Sequence, residues 1–391
     1  MILRTHKKMT RSLLTTEGKI SYSRYVLRPA DPRSKEKLQS LEGLSTIIPL
    51  DCALRVHKLP FKMTVSMMLE VAFYAAVLGS YQAAEEVLAK IYDTQINDDT
   101  VRLVTNLIGK AVFDADCMAA EQSMAQLENG TLSLHADKEG VLYLETDGAA
   151  LNTRTKDENG STWRENKLGM AFSSDHIYTQ KDKTGKPRHQ ILKCEYISYV
   201  GSVTEFKKHF FALALRNGYG KYKKTVLFSD GATWIRNLKE ELFPDAQHIL
   251  DFYHLCENTH AYSKIICKDE AEARTWADRI CGQLEEGKHE DVLKELSAYK
   301  NRPVPQGTVN LYNYILNNRS SIDYPAYKKE GFFVGSGAIE SGNKSVLQAR
   351  LKQAGMRWNP TTAQYMLSLK AKEKSNLWYS FVVPLIRNLM G

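Results

Sequence analysis

The sequence predicts an α/β protein organised around a sheet with buried strands. Four apolar or aromatic residues in a row occupy Val141–Leu144 and lead into the carboxylate of Asp147. Such a run is typical of a short strand covered on both faces. The same design returns at Thr225–Gly231, where Asp230 follows the apolar run. Strand and helix patterns alternate downstream of these two runs, and this alternation predicts the α/β class.

Length and composition bound the rest of the expectation. The chain has 391 residues, 43% of them hydrophobic, which suffices for a large core and two or three domains. The six cysteines form no Cys-x-x-Cys pair and no zinc-finger spacing. With no signal peptide, this pattern predicts reduced thiols in a cytoplasm. The most apolar stretch, Thr64–Gly79, is shorter than a membrane span and predicts a buried helix.

The net charge of +8 suggests an acidic partner such as nucleic acid. Residues 181–224 hold eleven Lys or Arg against three acids, and residues 344–374 hold seven against one. Either block alone is more typical of a solvated face, but both flank the acidic segments. The candidates for contact with DNA are Lys221, Lys223, Lys224, Lys344, Arg350, Lys352, Arg357 and Trp358.

The N-terminal part is predicted in two segments. Residues 1–60 form a basic segment with a hairpin around Glu17-Gly18. Residues 61–130 form a helical domain, in which an amphipathic helix at Tyr81–Lys90 is followed by a second helix starting near Asp98. Two helices across a short turn are compatible with a DNA-binding helix-turn-helix and equally with a plain helical hairpin. A linker helix over 111–127 then leads into the sheet.

Residues 131–260 are predicted to form the first part of a catalytic core. Its elements are an antiparallel meander of strands (141–147, 163–174, 189–200), a helix (204–217), a strand (225–231), a helix (232–242), a strand (247–251) and a helix from Tyr253. This is the succession of an RNase H-like domain. In that fold the first and fourth strands are neighbours, which predicts that Asp147 and Asp230 lie together.

The remaining residues divide into a helical insertion over 261–330 and a last core part over 331–391 with a basic C-terminal tail. A helix with Glu340 in its first turn is predicted here, with Lys344, Leu347 and Leu351 on the same stripe. Gly342 costs about 1 kcal/mol inside a helix, so a close approach to the sheet is expected there. A solvated Glu–Lys pair is the plainer alternative.

The acidic residues form the candidate site. Asp-Gly alone is also a turn signal, but Asp147, Asp230 and Glu340 together, without a Cys/His set, suit Mg²⁺ or Mn²⁺. Two such ions about 3.5–4 Å apart promote in-line displacement at a phosphodiester. Asp251 is a further possible ligand. His254, three residues later, suits hydrogen bonding to a phosphate or to a carboxylate, or a purely structural role.

Four segments together resemble the bacterial DDE transposases of the ISLre-type insertion-sequence group: ETDGA, SDGATWI, LDFYH and GSGAIESGNKSVLQARLKQAGMRW. The resemblance implies an RNase H-like core that binds Mg²⁺ or Mn²⁺, with Asp147, Asp230 and Glu340 as its triad. It also implies cleavage and strand transfer of a mobile DNA element. The expected partners are double-stranded DNA, as terminal inverted repeats and target, and a second copy in a homodimeric synaptic complex. The expected location is the bacterial cytoplasm, on the nucleoid when DNA is bound.

Two alternatives stay open beside an active transposase. One is an RNase H-like nuclease that cuts DNA without joining strands, and the other is a domesticated DNA-binding protein without catalysis. The three acids are all present, which disfavours the second alternative. A haloacid-type phosphatase is excluded because the position two residues after Asp147 holds Ala149 rather than a second Asp.

Overall fold

The structure is a computed structural model that describes residues 1–42, 45–181, 185, 187–334 and 337–390. Four residues between the strands predicted at 163–174 and 189–200 lie outside the described residues, as does Gly335 before the helix predicted to carry Glu340. The chain divides into two compact units, one formed by Met1–Asp114 with Ser368–Gly391 and the other by Ala115–Leu367. Every residue of the predicted acidic site belongs to the second unit.

The first unit begins with an antiparallel hairpin of β1 (Leu3–Thr15) and β2 (Gly18–Pro29). The predicted hairpin is therefore confirmed, and it is longer than expected. The buried carboxylate of Asp51 links the two strands, because it pairs with Arg11 of β1 at 2.8 Å and also with Arg24 of β2. Helices α1 (Pro32–Glu42) and α2 (Pro49–Ala53) follow.

Three helices complete the N-terminal region: α3 (Val65–Val77), α4 (Tyr81–Tyr92) and α5 (Asp98–Glu128). Side-chain caps at Thr64 and Ser80 fix the starts of α3 and α4. The prediction of a short second helix and a separate linker helix over 111–127 is wrong. No proline interrupts the segment, and α5 runs through both as one helix of 31 residues. Within the described chain, no helix is long and apolar enough to cross a membrane.

The C-terminal residues differ from their predicted place in the core. Helix α15 (Pro360–Lys374) leads to a π-helical turn at Trp378–Val382 and to α16 (Val383–Met390). The rings of Trp378 and Phe73 of α3 meet edge to face at 5.1 Å. Residues 368–391 therefore pack with the N-terminal unit.

The second unit is built on a mixed sheet of five strands in the order β7-β4-β3-β8-β9. Strand β3 is antiparallel to β4 and parallel to β8, β4 is antiparallel to β7, and β8 is parallel to β9. The strands and the helices between them are β3 (Lys138–Asn152), β4 (Trp163–Ser173), β7 (Glu195–Val200), α6 (Val203–Arg216), β8 (Tyr222–Ser229), α7 (Thr233–Leu242) and β9 (Gln247–Leu250).

Two strand predictions need correction. The segment 189–200 is not one strand, because the chain turns at Leu192 and divides it. Its first part, β6 (Pro187–Ile191), pairs with β5 (Ile177–Lys181) in a separate hairpin. Strand β3 also does not end at Asp147. It continues to Asn152 because β4 still pairs with it there, opposite Trp163.

Strand β3 is covered on both faces, as its apolar run predicted. Leu142 and Leu144 pack into a core with α6 and α7 on one face. On the other face the Tyr143 ring stacks between Phe172 and Phe228, with centroids at 5.1 and 6.0 Å. Because side chains alternate along a strand, Glu145 and Asp147 lie on the Tyr143 face. The apolar core therefore holds this strand while its C-terminal half carries acids.

Helix α8 (Phe252–Ile266) is the helix predicted from Tyr253. The predicted helical insertion follows as α9 (Glu270–Glu285), α10 (His289–Leu296), α11 (Leu311–Asn318) and α12 (Tyr324–Lys329). The chain then enters α13 (Gly337–Gly342), which continues through a π-helical turn at Asn343–Gln348 into α14 (Ala349–Leu351). The π turn shifts the helical phase, so the predicted stripe is broken. Lys344 is exposed, whereas Leu347 and Leu351 are buried.

Gly342 confirms the predicted close approach of helix to sheet. A Cβ placed there would lie 2.7 Å from the Tyr196 ring and 3.1 Å from Leu168. These residues belong to β7 and β4, so the missing side chain sets how closely α13 lies on the sheet.

We predict that Gly342→Ala lowers the free energy of unfolding by about 1–3 kcal/mol, because the ring and the helix must move apart. Gly337→Ala is the matched control, since no described atom lies within 4 Å of its added Cβ. Urea denaturation measures both variants. Equal stability of the two variants would contradict the close approach.

Candidate active site

Strand register places three acids at one edge of the sheet. Glu145 lies opposite Phe228, so Asp147 and Asp230 are each two residues farther along parallel neighbours. Ser229 lies opposite Leu250, so Asp251 stands beside Asp230. One small cavity at this edge is lined by Glu145, Thr146, Asp147, Phe228, Ser229, Asp230, Asp251, His254 and Ile339. The structure therefore brings the two predicted strand acids together.

Asp147 is half-buried and is held from two sides. Its Oδ1 accepts from the Gly148 N–H at 2.7 Å, and its Oδ2 accepts from Asn343 Nδ2 at 2.6 Å. Burial raises the pKa of Asp147, and the nearby Asp230 carboxylate adds to the rise. A cation at this edge would offset both effects.

Asp230 begins the turn between β8 and α7. Its Oδ1 accepts from the Ala232 N–H at 2.8 Å, and its carbonyl accepts from the Tyr314 hydroxyl at 2.6 Å. Gly231 has φ +87°, and a Cβ there would lie 2.8 Å from the Tyr314 ring. Glycine is required at this turn for both reasons. The Asp-Gly pair thus forms a tight turn and also presents a carboxylate.

Buried Asp251 and half-buried His254 form an ion pair at the start of α8. Asp251 caps the helix, since its Oδ1 accepts from the Tyr253 N–H at 2.7 Å, and its Oδ2 bonds His254 Nδ1. This hydrogen bond raises the pKa of His254 to about 9. The imidazole is therefore cationic at neutral pH. His254 orients a carboxylate, one of the two site roles considered for it.

Glu340 reaches the same group of acids from α13. One ligand atom each from Asp251, His254 and Glu340 lie within 4.8 Å of one another. The sequence predicts Glu340 as the third acid and Asp251 as a further possible ligand. The structure brings both to this edge. Asn343, one turn beyond Glu340, was missed by the sequence analysis, although its i, i+3 spacing places it on the same side of a helix.

Glu145 is the other residue that the sequence analysis missed. It is 0% exposed, and its Oε2 accepts from the Ile339 N–H at 3.0 Å. Burial raises its pKa well above the usual range, and the charges of Asp251 and Glu340 add to the rise. The sequence could have indicated Glu145, because it lies two residues before Asp147 and residues two apart on a strand share a face.

The first group of DNA-contact candidates does not lie at this edge. Lys221, Lys223 and Lys224 are exposed at the opposite end of β8, roughly 25 Å along the strand from Asp230. Lys223 pairs with Glu139, and Lys224 pairs with Glu330 at 3.2 Å.

The second group is divided by burial. Arg350 and Trp358 are only 2% and 7% exposed, with the guanidinium 5.1 Å from the indole ring centroid, so neither side chain lies on the surface as a contact with DNA requires. Lys344, Lys352 and Arg357 are exposed. The Trp358 backbone bonds Asn152 and Arg154, which places its segment beside the C-terminal end of β3. Trp163, opposite Asn152, is 54% exposed.

The donor set fits a hard divalent cation. Carboxylate oxygens are the ligands that Mg²⁺ and Mn²⁺ prefer, and Asp147, Asp230 and Glu340 offer them around one cavity. Two buried oxygens here, Glu145 Oε1 and Asn343 Oδ1, have no hydrogen-bond partner among the described residues. Such orphaned acceptors are rare in native proteins and fit a site that takes a cation.

Comparisons with known proteins gave no assignment. No model of a protein family matches the chain, and the search of curated proteins found no match.

We predict that Asp230→Asn leaves the free energy of unfolding in chelator equal or higher at pH 7. Because the pKa of Asp147 is raised in the folded chain, ionisation of this carboxyl lowers the free energy of unfolding as pH rises. Removing the Asp230 charge makes that loss smaller. The hydrogen bond to Ala232 survives in Asn. Mg²⁺ should stabilise the parent more than the variant, which has lost one carboxylate ligand.

Thermal unfolding with and without Mg²⁺ measures both effects. Glu240→Gln removes a charge from the exposed face of α7 and should behave as the parent does. A marked loss of stability in Asp230→Asn under chelator would mean that Asp230 serves only its turn.

Proposed function

We propose that this protein is a DDE transposase that uses divalent cations to cleave and transfer DNA strands. One observation carries the proposal: acids that follow two adjacent parallel strands line one cavity, and Glu340 of a later helix lies beside Asp251 and His254 of that cavity. Asp147, Asp230 and Glu340 form the triad, as the resemblance to ISLre-type transposases implies. Asp251 and His254 belong to the same edge.

The sheet supports an RNase H-like core. In order of appearance, the five strands lie third, second, first, fourth and fifth, and only the second is antiparallel to the first and third. The first and fourth strands are neighbours, which is the feature expected of that fold. The helical insertion lies between the second and third acids of the triad.

The side chains suit attack on a phosphodiester. When bound, divalent cations stabilise the entering and leaving oxygens of an in-line displacement. Asp147 and Asp230 would hold these ions from the sheet, and Glu340 from the helix. His254, cationic at neutral pH, would donate its free Nε2–H to a non-bridging phosphate oxygen. A water or a DNA 3′-hydroxyl then attacks phosphorus as the opposite P–O bond breaks.

Double-stranded DNA is the proposed partner, as terminal repeats and as target, and a homodimer is the proposed acting form. Exposed Lys344, Lys352 and Arg357 supply positive charge on the segments beside the C-terminal end of β3. Such contacts release counterions and make binding sensitive to salt. Exposed Trp163 offers a stacking surface at the same end.

We predict that purified protein nicks DNA carrying the inverted repeats that flank its gene and joins the cut ends to a target. Both reactions should require Mg²⁺ or Mn²⁺ and stop with EDTA. Glu340→Gln should reduce cleavage by at least about 100-fold, because a charge-stabilising ligand is lost. Denaturing gels resolve nicked and joined products.

Glu257→Gln is the matched control, since Glu257 is an exposed acid about one turn beyond His254 on α8. It should cut at the parent rate. Cleavage without joined products would favour a nuclease over a transposase. Full cleavage in EDTA, or by Glu340→Gln, would contradict the proposed chemistry.

A further inference from the structure

Glu145 is a fully buried acid inside the candidate active site. It is 0% exposed, and it lines the same cavity as Asp147, Asp230 and Asp251. Its Oε2 accepts from the Ile339 N–H at the start of α13. Its Oε1 has no hydrogen-bond partner in the part of the chain that the structure describes.

Holding the helix does not account for a carboxylate at this position. One backbone N–H needs one neutral acceptor, which an amide oxygen supplies equally well. A buried charge without a partner is costly, and native proteins keep such groups where they are paired or coordinate a metal. The second oxygen of Glu145 therefore points to a ligand.

The neighbours of Glu145 indicate where that ligand lies. The charges of Asp251 and Glu340 raise the pKa of Glu145. The charge of Asp230 raises the pKa of Asp147. Asp251 and Glu340 also approach each other within 4.8 Å. Asp251 and Glu340 are therefore the carboxylates placed to share a ligand with Glu145.

We propose that Glu145 is a direct ligand of a divalent cation, shared with Asp251 and Glu340, beside the ion held by Asp147 and Asp230. The inference rests on the proposed function and adds a ligand to its triad. Oxygen donors from three carboxylates suit Mg²⁺ or Mn²⁺, with waters completing the shell. Through Ile339, the same side chain ties this ion to the helix that carries Glu340.

Glu145→Gln separates a ligand from a purely structural acceptor. The amide oxygen can still accept from Ile339, so the helix stays in place, but the negative charge is lost. If Glu145 only holds the helix, the variant binds cations as the parent does. If Glu145 is a ligand, the variant loses affinity while its stability without metal is equal or higher.

The experiment is Mn²⁺ titration of the metal-free full chain without DNA, followed by electron paramagnetic resonance of free Mn²⁺. The parent should bind two ions. Glu145→Gln should lose one or bind it at least tenfold more weakly. Glu340→Gln should lose the same ion, so the double variant should bind no less than either single variant. Glu257→Gln removes one charge at an exposed position of α8, so its Mn²⁺ binding should match that of the parent.

Three results would overturn the proposal. Parent-like Mn²⁺ binding by Glu145→Gln would reduce Glu145 to a helix contact, while loss of binding in Asp230→Asn would keep the proposed function intact. A marked drop in the unfolding temperature of Glu145→Gln under chelator would show that the charge itself supports the fold. If the parent binds no Mn²⁺, both proposals fail together.

Discussion

Repulsion between carboxylates at one edge of a sheet is the constraint on which this site depends. Asp147, Asp230, Asp251 and Glu145 line one cavity, and Glu340 joins them from a helix. The fold offsets this charge with donors: backbone N–H groups, the Asn343 amide and the His254 imidazolium. Two buried oxygens, Glu145 Oε1 and Asn343 Oδ1, stay without a hydrogen-bond partner among the residues that the structure describes, so the arrangement favours a bound cation.

The rest of the second unit keeps the acids in place. Aromatic stacking around Tyr143 and the core beneath Leu142 and Leu144 cover both faces of β3, so its acidic half cannot shift. Glycine supplies the close contacts: Gly231 turns against Tyr314, and Gly342 lets α13 rest on β4 and β7. Precision at the edge therefore comes from apolar packing behind it.

Much of this was predictable because local patterns determined it. Apolar runs located β3 and β8, and the succession of elements predicted that Asp147 and Asp230 are neighbours. Glu145 escaped notice because it directly follows the apolar run and shows its partner only in three dimensions. The burial of Arg350 and the exposure of Lys344 depend on a π-helical turn, which regular helical periodicity does not predict. Lys221, Lys223 and Lys224 are near Asp230 in sequence, but they lie at the opposite end of β8.

The most direct measurement is a crystal structure of the protein grown with Mn²⁺ and recorded at a wavelength where manganese scatters anomalously. The account predicts an anomalous peak between the Asp147 and Asp230 carboxylates, with metal–oxygen distances of about 2.0–2.3 Å. Crystals with millimolar Mn²⁺ and no peak among these acids would contradict the claim that this edge of the sheet is a metal-dependent active site.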